Sequence, residues 1–331
     1  MSSTNYARTP APPRFFSAII ALLVVVACSP SATPPSAPAI STPAVAPQPA
    51  ATPPSAAQPS AVATPAAVAP VSGEIVVFAA ASLTDAFQDM ATAFQRVNPN
   101  AKLTFNFGAS SQLATQLGQG ARADAFASAD QTQMDNAKKA AAVAGEDQVF
   151  ARNRLVLITP KDNPAKISAI RDLANPGVKF VTAPPSVPIG QYAAQMLDKA
   201  SADPVYGADF KTRVAANTVS MEDNVRQVVS KVWLGEADAA VVYSTDATPQ
   251  VRDQLQIIPV PDPLQTLATY PIAVAKGNNA AGGEAFVGYV LGPQGQATLA
   301  KWGFLPPTQT SAAARSRSGP AVKRDEPDSA V

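Results

Sequence analysis

From Phe15 to Gly73 the chain carries no Asp, Glu, Lys or Arg. A folded domain needs a charged face toward water as well as an apolar one, so this stretch confines any globular fold to the residues that follow it. Its first part, Phe15 to Ala27 (FFSAIIALLVVVA), is apolar, follows Arg8 and Arg14, and is shorter than the roughly 20 residues of a comfortable membrane span. A basic start, an apolar run and then Val25-Val26-Ala27-Cys28 read as a bacterial secretory signal over 1–27, ending in a lipobox-like site. The only cysteine of the chain stands where lipidation requires it, so Cys28 is expected to carry the acyl chains of a membrane anchor. Residues 28–73 then read as a lipidated cysteine and a spacer. Ser29 to Ser72 holds 12 prolines in 44 residues, a composition that favours extended polyproline-like geometry over a packed core. At the other end, 308–331 is rich in Ala, Ser and charge and is expected to be a disordered tail.

Composition then excludes whole classes of chemistry. Among 331 residues there is no histidine, which removes the commonest general base and every Ser-His-Asp or Cys-His arrangement. One cysteine rules out an intrachain disulfide and a zinc cluster. A net charge of +1 gives no overall pull toward nucleic acid. No GxGxxG, P-loop or G-x-S-x-G pattern is present, which argues against nucleotide binding and against a serine hydrolase.

Between 74 and 307 strand-like runs alternate with helical patterns, which implies α/β architecture with parallel sheets covered on both faces. Strands are expected at Glu74–Ala80, Lys102–Phe107, Asp124–Ser128, Leu155–Thr159, Lys179–Thr182, Ala239–Tyr243, Gln256–Pro259 and Pro271–Ala275. Helices fit after Ser82 and Ser110 and near 190–200, 224–234 and 284–301. Two units run strand, serine, helix, with Ser82 and Ser110 at the junctions. A helix start offers unpaired N–H groups and a partial positive charge, and a serine there adds a hydroxyl donor, so such a junction suits an anion. The plainer reading is that each serine caps its helix; Ser82 with Asp85 three places on resembles a capping box.

Ile75–Phe87 (IVVFAAASLTDAF), Phe107–Leu113 (FGASSQL), Val187–Ala193 (VPIGQYA), Glu222–Arg226 (EDNVR) and Val241–Ala247 (VVYSTDA) resemble, in order, the molybdate-binding proteins of ABC transporters. The resemblance covers about 74–307, including Gly292-Pro293-Gln294 and Trp302-Gly303-Phe304, and leaves out the lipobox and the proline-rich spacer. It implies a two-lobed periplasmic-binding-protein fold, each lobe a mostly parallel sheet flanked by helices, with the ligand in the interlobe cleft. Lobe 1 would comprise 74–153 plus 268–307 and lobe 2 154–267, with crossovers near Arg154 and Thr269 as the hinge. It also implies that molybdate or tungstate is held by hydrogen bonds, molybdenum entering as an oxyanion without a direct protein ligand and without a cofactor.

Carried over residue by residue, the hydroxyl donors fall on Ser82, Ser110 (with Ser111 a neighbour able to share the role) and Tyr243. The backbone donors fall on Val225 and on Ile189, a bulkier side chain than the family's motif has there. No Lys or Arg lies within 78–83, 108–113, 186–192 or 241–246. Neutral donors satisfy a fully ionised tetrahedral oxyanion, whereas a protonated phosphate also wants an acceptor for its own proton. Arg226 is expected to face outward, Glu222 and Asp223 to serve as an acidic first turn pointing away, Trp233 and Trp302 to anchor the core, and Asp130 and Asp246 to cap helices or form hinge bonds. The expected function is that of a monomeric, non-catalytic lipoprotein on the outer face of the cell membrane, delivering molybdate and tungstate to an importer's permease. Sulfate or another small oxyanion is the alternative ligand, and a purely structural surface lipoprotein the distant alternative function.

Overall fold

The run Gly73–Ala80 (GEIVVFAA) forms β1, buried from Val77 to Ala80 with no polar face, as a central strand covered on both sides requires. It opens the part of the chain described by the computed structural model, residues 71–308; Cys28, the rest of 1–70 and the tail from 309 lie outside the described residues. Contacts of the fold precede Glu74: the Val71 N–H donates to Asn98 Oδ1, and the Val71 side chain packs against the core.

After β1 come α1 (Thr84–Val97), β2 (Ala101–Gly108), α2 (Ser110–Gly118), β3 (Ala125–Ala127), α3 (Gln131–Lys139) and β4 (Val143–Asn153). One residue further on, β5 (Leu155–Pro160) begins a second set: β6 (Phe180–Thr182), α4 (Pro188–Ala202), α5 (Phe210–Ala216), β7 (Thr218–Met221), α6 (Val225–Trp233), β8 (Ala239–Tyr243) and β9 (Leu255–Pro259). The chain then returns through β10 (Ala268–Ala275), α7 (Ala280–Leu291) and α8 (Pro293–Lys301).

The strands form two five-stranded sheets, ordered β2-β1-β3-β10-β4 and β7-β6-β8-β5-β9. Both follow one plan. Three strands joined by helical crossovers are parallel, and next to them lies a strand antiparallel to both neighbours. That reversed strand, β5 or β10, is the one arriving directly from the other sheet, and without a helix to turn it round it runs against the rest. Each sheet with its helices is called a lobe below.

The apolar spacing of α1 sets Phe87, Met90 and Phe94 on one buried face. Phe87 and Phe94 meet Phe286 of α7 edge to face, at 5.6 and 5.8 Å between ring centroids. Helical periodicity over 284–301 is split in the structure at Gly292. Pro293 has no N–H to continue α7 and instead starts α8 at its first position. One buried apolar cluster runs through both lobes. At its centre Tyr192, Tyr243 and Tyr270 form a file of edge contacts that ends on Phe150 and Phe304.

Candidate functional site

In both lobes the strands' carboxyl ends point at the same place, where α/β sheets bind ligands. β1 ends in a tight turn, Ala81–Leu83, that holds Ser82; β2 runs into α2 at Ser110; β8 ends on Tyr243. The segment after β6 enters α4 at Pro188, and β7 leads through Asn224 into α6 at Val225. Ser82, Ser110, Ile189, Val225 and Tyr243 all line a single cavity, and no charged residue lines it. Ser111 is not among the lining residues.

Neither serine caps a helix, contrary to the capping-box expectation. Leu83 stands at the cap position of α1 and Ala109 at that of α2, and neither helix has a side-chain cap. Ser82 Oγ instead lies 3.0 Å from Tyr270 Oη, across 188 residues of chain. Ser110 Oγ accepts the Ala129 N–H at 2.9 Å. Both serines are buried, so their hydroxyls are held where a cap would not need them.

The backbone donors follow from helix-start geometry. In α6, Asn224 Oδ1 accepts from Arg226 N–H and Gln227 N–H at 3.0 and 3.2 Å, and Asn224 O accepts from Val228 N–H. The Val225 N–H is thereby the unclaimed donor of that turn among the described residues. In α4, Pro188 contributes no N–H and Gln191 N–H returns to Val187 O at 3.0 Å, so Ile189 carries the first free donor. Gly190 follows it of necessity: a Cβ there would collide with the carbonyl oxygens of Ala183 and Pro184.

Tyr243 is buried, and its hydroxyl has no hydrogen-bond partner among the described residues. Burial, with Tyr270, Tyr192, Asp130 and Asp246 nearby, pushes the phenol well above its ordinary value, so it stays a neutral donor.

Arg226 does not face outward. Its Nη2 lies 2.7 Å from Asp85 Oδ2 on lobe 1 and its Nε 3.2 Å from Asp246 Oδ1 on lobe 2, while Nη2 also donates to Ser82 O at 3.4 Å. The two carboxylate contacts are charge contacts without hydrogen-bond alignment. Outward periodicity on α6 was compatible with this because the outer face of its first turn meets the other lobe. Asp246 is fully buried; burial pushes its carboxyl up to about 6 against the opposing pull of Arg226. Asp130 caps α3 by accepting the Gln133 N–H at 2.8 Å, and burial pushes it also up to about 6. Trp233 is no core anchor: it is 40% exposed and sits at the end of α6, its indole N–H donating to Gln254. Glu222 and Asp223 precede the Asn224 cap and so form no acidic first turn, Glu222 accepting from Ser220 Oγ at 2.7 Å.

Sequence reasoning missed the residues behind the cavity. Asn153, the last residue of β4, is completely buried at the crossover between lobes. Its amide reaches Thr245 Oγ1 at 2.8 Å and Ser244 Oγ at 2.9 Å in lobe 2, and Tyr270 Oη at 3.5 Å in lobe 1. Near the second crossover the Thr269 N–H donates to Tyr192 Oη at 3.1 Å. Nothing local in the sequence marks these side chains, whose partners lie about a hundred residues away.

Among the described residues no group of three or more His, Cys, Asp or Glu side chains is placed to hold a metal ion, and no helix is long and apolar enough to cross a membrane. Residues 75–305 match the bacterial extracellular solute-binding protein family. Molybdate-binding protein ModA of Mycobacterium tuberculosis is 39% identical over 234 residues, covering 70% of this chain and 85% of the relative. Molybdate-binding protein ModA of Escherichia coli is 35% identical over 240 residues, covering 70% and 89%. The solved substrate-binding domain of a molybdenum ABC transporter from Clostridium difficile aligns with a TM-score of 0.52 at 28% identity, covering 70% of this chain and 98% of that one. This chain belongs to the family of bacterial extracellular solute-binding proteins that includes these molybdate-binding relatives.

Proposed function

We propose that this chain captures molybdate, and its near-isostere tungstate, outside the cytoplasm and delivers it as a monomer to the membrane permease of an ABC importer. The observation that carries this reading is the set of five neutral donors, from five separate chain segments, around one cavity with no charged lining. Hydrogen bonds to a charged group contribute about 1.5–3 kcal/mol each, so a desolvated dianion is held by dipoles without a cation. The helix starts at Ser110, Pro188 and Val225 add partial positive charge on the same side. A fixed cationic partner would hold any small anion; oriented dipoles select shape and charge together.

Ser82 and Ser110 belong to lobe 1, and Ile189, Val225 and Tyr243 to lobe 2, so an anion bonded to all five ties the lobes together. The two connections, at Asn153–Leu155 and Pro259–Ala268, act as the hinge on which the lobes close. Acylated Cys28 anchors the protein at the outer membrane face, and the proline-rich segment is its tether. In this reading the protein binds and releases its ligand without a catalytic step.

Calorimetric titration with molybdate, tungstate, sulfate and phosphate tests the reading. Molybdate and tungstate should bind with similar affinity and sulfate far more weakly. Tight sulfate binding without a molybdate response makes the chain a sulfate carrier; no response to any of the four refutes the oxyanion reading altogether.

A further inference from the structure

The direction of each hydrogen bond behind the cavity is set by donors that have no choice. Asn153 Oδ1 accepts the Arg154 N–H at 3.0 Å and the Ser244 hydroxyl at 2.9 Å. A backbone N–H only donates, which fixes that end of the amide as its oxygen. The amide nitrogen therefore lies on the other side, donating to Thr245 Oγ1 at 2.8 Å with its second hydrogen turned toward Tyr270 Oη at 3.5 Å. An amide NH₂ cannot accept, so the Tyr270 hydroxyl hydrogen turns to its other neighbour, Ser82 Oγ at 3.0 Å. Ser82 accepts, and its own hydrogen is left for the cavity.

Ser110 reaches the same state independently. Its Oγ accepts the Ala129 N–H at 2.9 Å, which leaves the Ser110 hydrogen for the cavity as well. Asn153 and Tyr270 are both fully buried, so bulk water does not reach this chain of bonds to reverse it. Burial also holds the Tyr270 phenol well above its ordinary value, keeping its hydrogen in place.

We propose that Tyr270, oriented by Asn153, is a positioning residue that sets specificity. By donating to Ser82 it commits the Ser82 hydrogen to the ligand. At Ser82 and Ser110 the cavity then presents hydrogens, one lone pair of each Oγ being already taken by a fixed donor, and it favours a tetrahedral dianion without a proton over one that carries a proton. Tyr270 does not line the cavity and acts only through Ser82. The inference rests on the oxyanion reading above.

The test is Tyr270→Phe, which keeps the ring and its edge contacts with Phe150, Tyr243 and Phe304. Without the phenol the Ser82 hydroxyl is free to rotate and to accept. Molybdate affinity is measured directly, and phosphate by its competition against molybdate at mildly alkaline pH, where it is the monohydrogen dianion. Melting temperature is measured alongside. The ratio of molybdate to phosphate affinity should fall about tenfold in Tyr270→Phe, the worth of one unpaired buried hydrogen-bonding group, with molybdate binding itself largely kept. Asn153→Asp puts an oxygen that can only accept where the amide nitrogen faces Tyr270 Oη; it should turn the Tyr270 hydrogen away from Ser82, lower the same ratio, and decide the matter if Tyr270→Phe does not fold. Phosphate that competes no better against either variant than against wild type overturns the inference. A wild-type protein that fails to bind molybdate sinks the oxyanion reading instead, so the two failures are distinguishable.

Discussion

Replacing Arg226 with methionine should destabilise the protein in a way that depends on pH, and the size follows from the two carboxylates it touches. Asp246 is fully buried and sits at about 6 with Arg226 3.2 Å away, against an ordinary value of 3.8. Without the guanidinium its carboxyl rises further, and the buried site takes up a proton rather than hold a bare charge. At about pH 7 wild-type Asp246 is ionised only about one unit above its midpoint, so protonation costs on the order of 1 kcal/mol. Asp85 is partly exposed, at 21%, and its lost ion pair adds at most about 1 kcal/mol. Arg226→Met should therefore cost about 2 kcal/mol near pH 7. Near pH 5 Asp246 is protonated with or without Arg226, and only the Asp85 part, about 1 kcal/mol or less, remains. Denaturant unfolding of both proteins at the two pH values reads this directly. A loss of the same size at both would refute the charge argument and leave packing as the whole effect.

Ser82→Ala, Ser110→Ala and Tyr243→Phe should each weaken molybdate binding by about 1.5–3 kcal/mol, roughly 10- to 150-fold, in calorimetric titration. Val225→Ala keeps its N–H and should bind almost normally. Val225→Pro removes that N–H at a first helical position that tolerates proline, so affinity should fall further than melting temperature. Asp130 and Asp246, both raised from 3.8 to about 6, contribute stability present in full below about 4 and lost as pH rises through about 6. Their double Asn variant should flatten that part of the stability profile, which the lowered carboxyls of Asp89, Asp147 and Asp172 oppose. Cys28→Ala should release the protein from membranes in detergent partitioning while its purified core still binds molybdate; unchanged membrane association counts against the anchor.

How much of the fold could be read in advance depended on burial. Strands such as β1 and β8 lie in the middle of a sheet, and being covered on both faces makes them continuous apolar runs that stand out. β4 is hard to read because it is an edge strand: Gly145, Glu146 and Asp147 interrupt its apolar pattern, and both acids pair with Lys138, Glu146 exposed and Asp147 largely covered. β7 is the opposite edge of the other sheet, four residues long with alternating exposure, too short for any periodicity to register. The reversed direction of β5 and β10 left no trace in composition either, since direction within a sheet depends on which strand the chain comes from.

The cavity was legible for a different reason. A strand that ends, a small polar residue and a helix that starts are local events, so each junction leaves a short signature, and five such signatures in order carry the family likeness. What the serines do there is not local. Ser82 looks like a capping residue until Tyr270 is found behind it, and Ser110 until the Ala129 N–H is found against its oxygen. Arg226 was misjudged on the same ground: helical spacing tells which side of α6 it occupies but not that Asp85 of the other lobe stands there. Residues that face a ligand are marked by the turns that present them. Residues that decide which way those donors point are ordinary core side chains, a tyrosine in a strand and an asparagine at a strand end, and only the fold brings them to the site.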